Sequence, residues 1–349
     1  MKKVLLIGLG KNTNLGDGVI ECCTKYLLQK AFSELNVKCI IDSMDIIEDD
    51  YACIINYDIL VFAGGGIIKY RYQSFYDYIS KIIRIADKYH IPVIFNAVGV
   101  EGYDENDERC IQLKNAVNCS CVKGITVRDD INVLKNKYIA NERIYIKKVS
   151  DPAVWASTVY KKRKKETELI GLGVIREGIF ESNGIKIERE NIFKLWKNII
   201  EELDKRKQKW KIFTNGWSSD MKFAINLMKF MGREKEIDEL VIPVPKTTDE
   251  LVDIISGFKG VIAGRLHANI ISYSLDIPSI GIVWNEKCVF WGKAIGYPER
   301  FFCVNEFYPE QITDQCFKAV SEGYQRVDRQ YFANTNYIEL KTMLKNLIN

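Results

Sequence analysis

Short runs of aliphatic residues recur along this chain with helix-length segments between them, and this alternation restricts the fold more than any other feature. Val4 to Ile7, Cys39 to Ile41, Ile59 to Phe62, Val93 to Phe95 and Ile125 to Val127 each read as a buried strand. Strands that alternate with helices predict an α/β chain built on a doubly wound parallel sheet. The pattern stops at Lys161-Lys162-Arg163-Lys164-Lys165 and resumes with strands at Leu169 to Val174, Lys211 to Phe213 and Val241 to Val244. A chain of 349 residues is too long for one hydrophobic core. The expected division is therefore 1–160, 166–325 and a C-terminal helical piece, 326–349, whose helix runs from Tyr337 to Ile348. The basic run reads as a solvated linker, with contact to an anionic membrane surface as its alternative role.

In an open parallel sheet, ligands sit beyond the carboxyl ends of the strands, so the loops there carry the chemistry. Gly260 to Ala263 reads as a strand, Arg265 to Leu275 as a helix apolar on more than one face, and Pro278 to Val283 as the next strand. Gly264-Arg265-Leu266-His267 and the loop from Trp284 to Lys287 then leave the same edge. Arg265 can grip a carboxylate or phosphate with two parallel hydrogen bonds, the first helical turn offers free N–H groups, and His267 can carry a proton near neutrality. The alternative is an Arg265 paired with a carboxylate at the sheet edge and an interior His267. Three loops of the first half are expected on one edge as well. Asp17, in Asn14-Leu15-Gly16-Asp17, reads either as a functional acid or as an N-cap. Gly64-Gly65-Gly66 reads as a close turn or as a glycine loop that bares N–H groups before a helix. Arg128 reads as an anion ligand or as a residue paired with Asp129 or Asp130.

Composition narrows the classes. The chain is 47% hydrophobic and 28% charged, with a net charge of +4, and has no basic stripe interleaved with aromatics, so nucleic acid is not an expected partner. The ten cysteines include Cys22-Cys23 and Cys119-x-Cys121 but no zinc-type spacing with a neighbouring histidine, so reduced thiols and no metal are expected. The second histidine, His90, reads as structural at the end of a helix. The apolar run at Val4 is too short for a leader, and no segment has the length of a membrane span. Gly8-Leu9-Gly10 is followed by Thr13, and Gly171-Leu172-Gly173 by Arg176, where a dinucleotide fingerprint needs its third glycine. Phosphate-loop, esterase-elbow and zinc-protease motifs are absent.

Asn14-Leu15-Gly16-Asp17, Gly64-Gly65-Gly66, Ile125-Thr126-Val127-Arg128-Asp129, Asp151-Pro152-Ala153, Gly264-Arg265-Leu266-His267-Ala268, Ile277-Pro278-Ser279-Ile280-Gly281-Ile282 and Lys287 follow one another in this chain. Together, over residues 4 to about 290, they make it resemble the polysaccharide pyruvyl transferase family. The resemblance implies two facing Rossmann-like domains of the GT-B type with the active site in the cleft between them. It implies transfer of pyruvate from phosphoenolpyruvate to a sugar, closing a cyclic ketal and releasing phosphate, with no cofactor and no metal.

Against that chemistry, Arg128, Arg265 and Lys287 are the cations for the donor's carboxylate and phosphate, with Lys287 beside the departing phosphate. His267 aligns with the family's essential histidine and is the acid that protonates C3 of the enol. Asp17 is the candidate to orient or deprotonate an acceptor hydroxyl. Asn14, Gly16, Gly64, Gly65 and Gly66 are carried as substrate-binding positions. Asn215-Gly216-Trp217 and Thr247-Thr248-Asp249-Glu250 are given no role. The acceptor implied is a sugar, free or on a lipid-linked oligosaccharide, which puts the enzyme in the cytoplasm or at the inner face of the membrane; the sequence fixes no oligomeric state. The competing classes are a sugar-nucleotide glycosyltransferase of the same architecture and a binding protein that kept the fold.

Overall fold

A computed structural model describes residues 1–9, 14–48, 50–71, 73–304 and 308–348. Gly10 and Thr13 of the rejected fingerprint lie outside these. The chain forms two compact units. The first holds most of the chain up to Pro152 together with the stretch from Arg329 onward, and the second runs from Ala153 to Asp328 and includes a short piece ending at Gly16.

The first unit is built on a parallel sheet whose strands are β1 (Lys2–Gly8), β2 (Cys39–Asp45), β3 (Ile59–Phe62), β4 (Gly65–Lys69), β5 (Val93–Glu101), β6 (Val122–Val127) and β7 (Tyr145–Lys148). Their order is β2-β1-β3-β5-β6-β7, with β4 paired to β5. All four residues of β3 are buried, as a parallel strand covered on both faces requires. Phe62 and Phe95 stack at 4.3 Å across β3 and β5. Helix Phe75–Lys88 covers the sheet with Ile79, Ile82, Ile83 and Ala86, spaced to form one apolar stripe.

The last helix, Arg329–Ile348, packs on β5 and β6 of this first unit. Asn336, fully buried, donates to Asn96 at 3.1 Å, and Thr335 accepts the Ser150 N–H at 2.9 Å. These bonds explain a destination that its sequence pattern alone does not give.

The second unit carries β8 (Ile170–Gly173), β9 (Trp210–Phe213), β10 (Gly260–Ala263), β11 (Ser279–Val283) and β12 (Phe301–Cys303), parallel and in the order β12-β11-β10-β8-β9. The strand expected at Val241 to Val244 does not form. Val241 makes a single bridge to Ile212, and Pro243 and Pro245 follow, which cannot donate to a ladder. Every residue of helix Leu266–Ser274 is buried, which accounts for a helix apolar on more than one face. The basic run lies on helix Thr248–Ser256: Lys162 meets Asp249 and Asp253 at 3.2 Å, and Lys165 meets Asp253 at 3.0 Å. No helix among the described residues is long and apolar enough to cross a membrane.

Candidate functional site

In the second unit, β10 and β11 are parallel neighbours, so the loops after them leave one sheet edge. The Trp284 indole N–H donates to the Gly264 carbonyl at 2.6 Å and ties these two loops together. Arg265 is the N-cap residue of helix Leu266–Ser274, and His267 is in its first turn, 7% exposed. Asn285 caps the next helix, Glu286–Ala294, by accepting the Lys287 N–H at 3.0 Å, which sets the half-buried Lys287 in that helix's first turn.

Arg265 is not an open cation. It donates through Nε to Asp220 Oδ2 at 2.7 Å and through Nη2 to Oδ1 at 2.9 Å, and Asp220 is fully buried. The same Oδ1 accepts the Arg176 backbone N–H at 3.0 Å. The fork fixes the guanidinium plane and commits two of its nitrogens, leaving the Nη1 edge outside the fork. The alternative of an Arg265 paired with a carboxylate is therefore met, by Asp220 in the first turn of helix Ser218–Phe230.

Gly16 lies against His267. A Cβ placed on Gly16 would stand 2.5 Å from the His267 Cβ and 2.6 Å from its Cγ, closer than any real side chain permits. Leu15 donates its N–H to the Asn215 carbonyl at 3.0 Å, so Asn14-Leu15-Gly16 is pinned to the loop after β9. That loop, given no role from sequence, meets the site twice: through Asn215, and through Trp217, whose ring centroid is 5.6 Å from the Arg265 guanidinium carbon. The signal was present, because this loop too follows a strand at the carboxyl edge. Asp220 carried no such signal.

The first unit has its own charged edge. Helix Leu15–Glu34 belongs to this unit from Asp17 onward, while Asn14, whose Oδ1 accepts the Gly16 N–H at 3.3 Å, lies in the short piece of the second unit. Asp17 is thus inside the first helical turn and is not the N-cap expected; an acid there still favours the positive end of the helix. Its Oδ1 is 3.9 Å from where a Cβ on Gly65 would stand. Gly64 and Gly65 have φ of +121° and +86°, and a Cβ on Gly64 would meet Ile20 at 2.9 Å and the Asn96 carbonyl at 3.1 Å. Gly65 and Gly66 open strand β4 and not a helix, because the chain here pairs with β5 before helix Phe75–Lys88 begins. The helix-terminus reading of these glycines falls accordingly.

Arg128 forms an ion pair with Asp151, of the Asp151-Pro152-Ala153 motif, the two side chains being 6% and 1% exposed. The alternative partners do other work: Asp129 accepts the Val100 N–H at 3.0 Å, and Asp130 caps the next helical turn. Burial of Arg128 opposes its charge, yet Asp151, Asp129 and Asp17 outweigh burial and hold its pKa above the usual arginine value. Away from both edges, Asp87, Cys119 and Cys121 bring three ligand atoms within 4.8 Å, the one such group among the described residues. Burial pushes the Cys121 thiol up to about 12.

The sequence profile of the family described as Polysaccharide pyruvyl transferase matches residues 14–286, well over half of the chain. The chain belongs to the polysaccharide pyruvyl transferase family. No curated protein matches it by sequence. Solved structures that resemble this family member include the UDP-GlcNAc 2-epimerase from Methanocaldococcus jannaschii, with a TM-score of 0.56 at 12% identity over 99% of this chain and 100% of that one. The UDP-GlcNAc 2-epimerase from Neisseria meningitidis, bound to UDP-GlcNAc, gives 0.55 at 11% over 99% and 100%. The corresponding enzyme from Rickettsia bellii gives 0.54 at 13% over 99% and 96%. At such identities the likeness shows the fold alone: an α/β chain of the GT-B class with two parallel-sheet Rossmann-like halves.

Proposed function

We propose that this member of the family transfers pyruvate from phosphoenolpyruvate to hydroxyls of a saccharide and releases phosphate. The observation that carries this reading is the apposition of Gly16 and His267 beside the Arg265–Asp220 fork, which joins two family motifs around one imidazole. His267 protonates C3 of the enol, and an acceptor hydroxyl forms its bond to C2 as positive charge develops there, its proton passing to the imidazole that has just given one up. The C2–O bond to phosphate then breaks with its electron pair leaving on phosphate. A second hydroxyl of the acceptor adds to C2, gives up its proton, and closes the ketal.

Two features support this chemistry. Arg265, oriented by Asp220, presents its Nη1 edge as a fixed donor for a carboxylate or phosphate oxygen, and such pre-placed donors stabilise charge without reorganising during reaction. Lys287, at the N-terminus of its helix, is suited to a departing phosphate, where the positive end of the helix adds to its charge. Asp17 is proposed to orient the acceptor hydroxyl, and Arg128, held by Asp151, to act as a further anion donor. The acceptor's lipid linkage and a cytoplasmic location at the membrane face belong to the same proposal.

Incubation with phosphoenolpyruvate and a panel of mono- and disaccharides, followed by phosphate assay and mass spectrometry, tests the reading. The wild type is expected to release phosphate and yield a pyruvylated sugar, and His267→Gln to bind phosphoenolpyruvate without turnover. Wild-type rates in His267→Gln would remove the residue from the mechanism. The competing reading is a sugar-nucleotide enzyme, favoured by relatives of the same fold that are named for UDP-GlcNAc. Its mark is binding of UDP in place of phosphoenolpyruvate.

A further inference from the structure

A pocket of about 490 Å³ opens in the second unit where the chain leaves β8 and helix Ser218–Phe230 begins. Arg176, Glu177, Glu181, Arg189, Ser219, Lys222 and Asn226 supply its polar lining, over a floor that includes Phe223. Arg189 is committed to Glu177 at 2.6 Å. Among the described residues no carboxylate lies within ion-pair distance of Arg176 or Lys222. Ser219 Oγ is buried and takes no hydrogen-bond partner. In the loop that leads to it, the Thr214 hydroxyl and both polar atoms of the Asn215 amide are orphaned as well, on residues only 1% exposed.

Buried polar groups without partners are rare in native proteins, and the orphaned Ser219 hydroxyl, which lines the pocket, calls for a ligand that completes it. Two uncommitted cations beside a hydroxyl donor suit a phosphoryl group. Glu181, a hydrogen-bond acceptor in the same pocket, suits the hydroxyls of a sugar. The volume falls in the range that encloses a drug-sized ligand and exceeds what a three-carbon donor needs. Arg176 and Asp220 are directly bonded, so the pocket borders the fork that holds Arg265.

We infer that this pocket is the subsite for a phosphorylated saccharide, its phosphoryl group held by Arg176, Lys222 and Ser219 and its sugar by Glu181. That this saccharide is the acceptor rests on the pyruvyl-transfer reading; the binding itself does not. The full-length protein is titrated calorimetrically with inorganic pyrophosphate, with glucose 1-phosphate and, in parallel, with phosphoenolpyruvate. The wild type and the Arg176→Ala/Lys222→Ala double variant are compared; both substituted side chains are solvent-accessible, so the fold is retained.

The expected result is affinity for pyrophosphate and glucose 1-phosphate that falls at least about tenfold in the double variant, while phosphoenolpyruvate binding stays unchanged. Equal affinity in wild type and variant, or no binding to the wild type, would overturn the subsite. Parallel loss of phosphoenolpyruvate binding would also overturn it by returning the pocket to the donor. Failure of the wild type to bind phosphoenolpyruvate, with the pyrophosphate result as expected, would sink the pyruvyl donor and leave the phosphoryl subsite standing.

Discussion

Arg265 and Asp220, 45 positions apart, form a buried two-point ion pair in which the carboxylate is fully enclosed and also accepts the Arg176 N–H. Removing one partner strands a charge in a low-dielectric interior. Asp220→Ala should therefore lower stability by about 3–5 kcal/mol, read as a shift of the urea midpoint. An unchanged midpoint would mean that water relieves Arg265 and that the fork does not orient it.

Gly16→Ala tests the close approach to His267. Alanine favours a helix over glycine, so the substitution carries no propensity cost; what it adds is a methyl group where the imidazole stands. Turnover should fall about a hundredfold, the order expected for a catalytic group displaced by about 1 Å, while phosphoenolpyruvate binding persists. Unaltered turnover would show that the imidazole can move aside without consequence.

Glu21 gives a pH signature in the first unit. Burial raises its pKa above the ordinary glutamate value, with Asp45 adding to the shift and Ser43 and Lys25 opposing it. The folded state thus holds this proton to higher pH than the unfolded chain. The stability it contributes is complete below the unfolded pKa and is lost as pH rises through the folded one. Glu21→Gln should exceed the wild type in urea midpoint at neutral pH, and the gap should close in acid. A gap that widens in acid would contradict the sign.

Thiol labelling reports burial residue by residue. Burial pushes Cys121 and Cys316 up to about 12 and Cys288 to about 11, whereas Cys22 is exposed. Brief iodoacetamide treatment of the native protein, followed by peptide mass mapping, should modify Cys22 and spare these three until the protein is unfolded. Early labelling of Cys288 would show that helix Glu286–Ala294, which carries Lys287, opens readily.

The central strands were legible because a parallel strand buried on both faces must be a run of aliphatic residues; Ile59–Phe62 and Gly260–Ala263 match their sequence ranges fully. Edge and accessory strands lack that mark. Tyr145–Lys148 ends in two lysines, Gly65–Lys69 opens on glycines that read as a turn, and Phe301–Cys303 is three half-buried residues. The strand-end reading puts segments 264–267 and 284–287 on one sheet edge, since parallel order alone brings them there, and the hydrogen bond from Trp284 to Gly264 joins the two loops. Their partners were not legible. Asp220 for Arg265 and Asp151 for Arg128 are tertiary choices made by helix and strand packing, and no local spacing encodes them.

Transfer from phosphoenolpyruvate is the central claim, and calorimetric titration with that donor tests it without knowledge of the acceptor. The wild type should bind phosphoenolpyruvate and not UDP, and Lys287→Ala should lose that binding. Binding of UDP with no response to phosphoenolpyruvate would contradict the account.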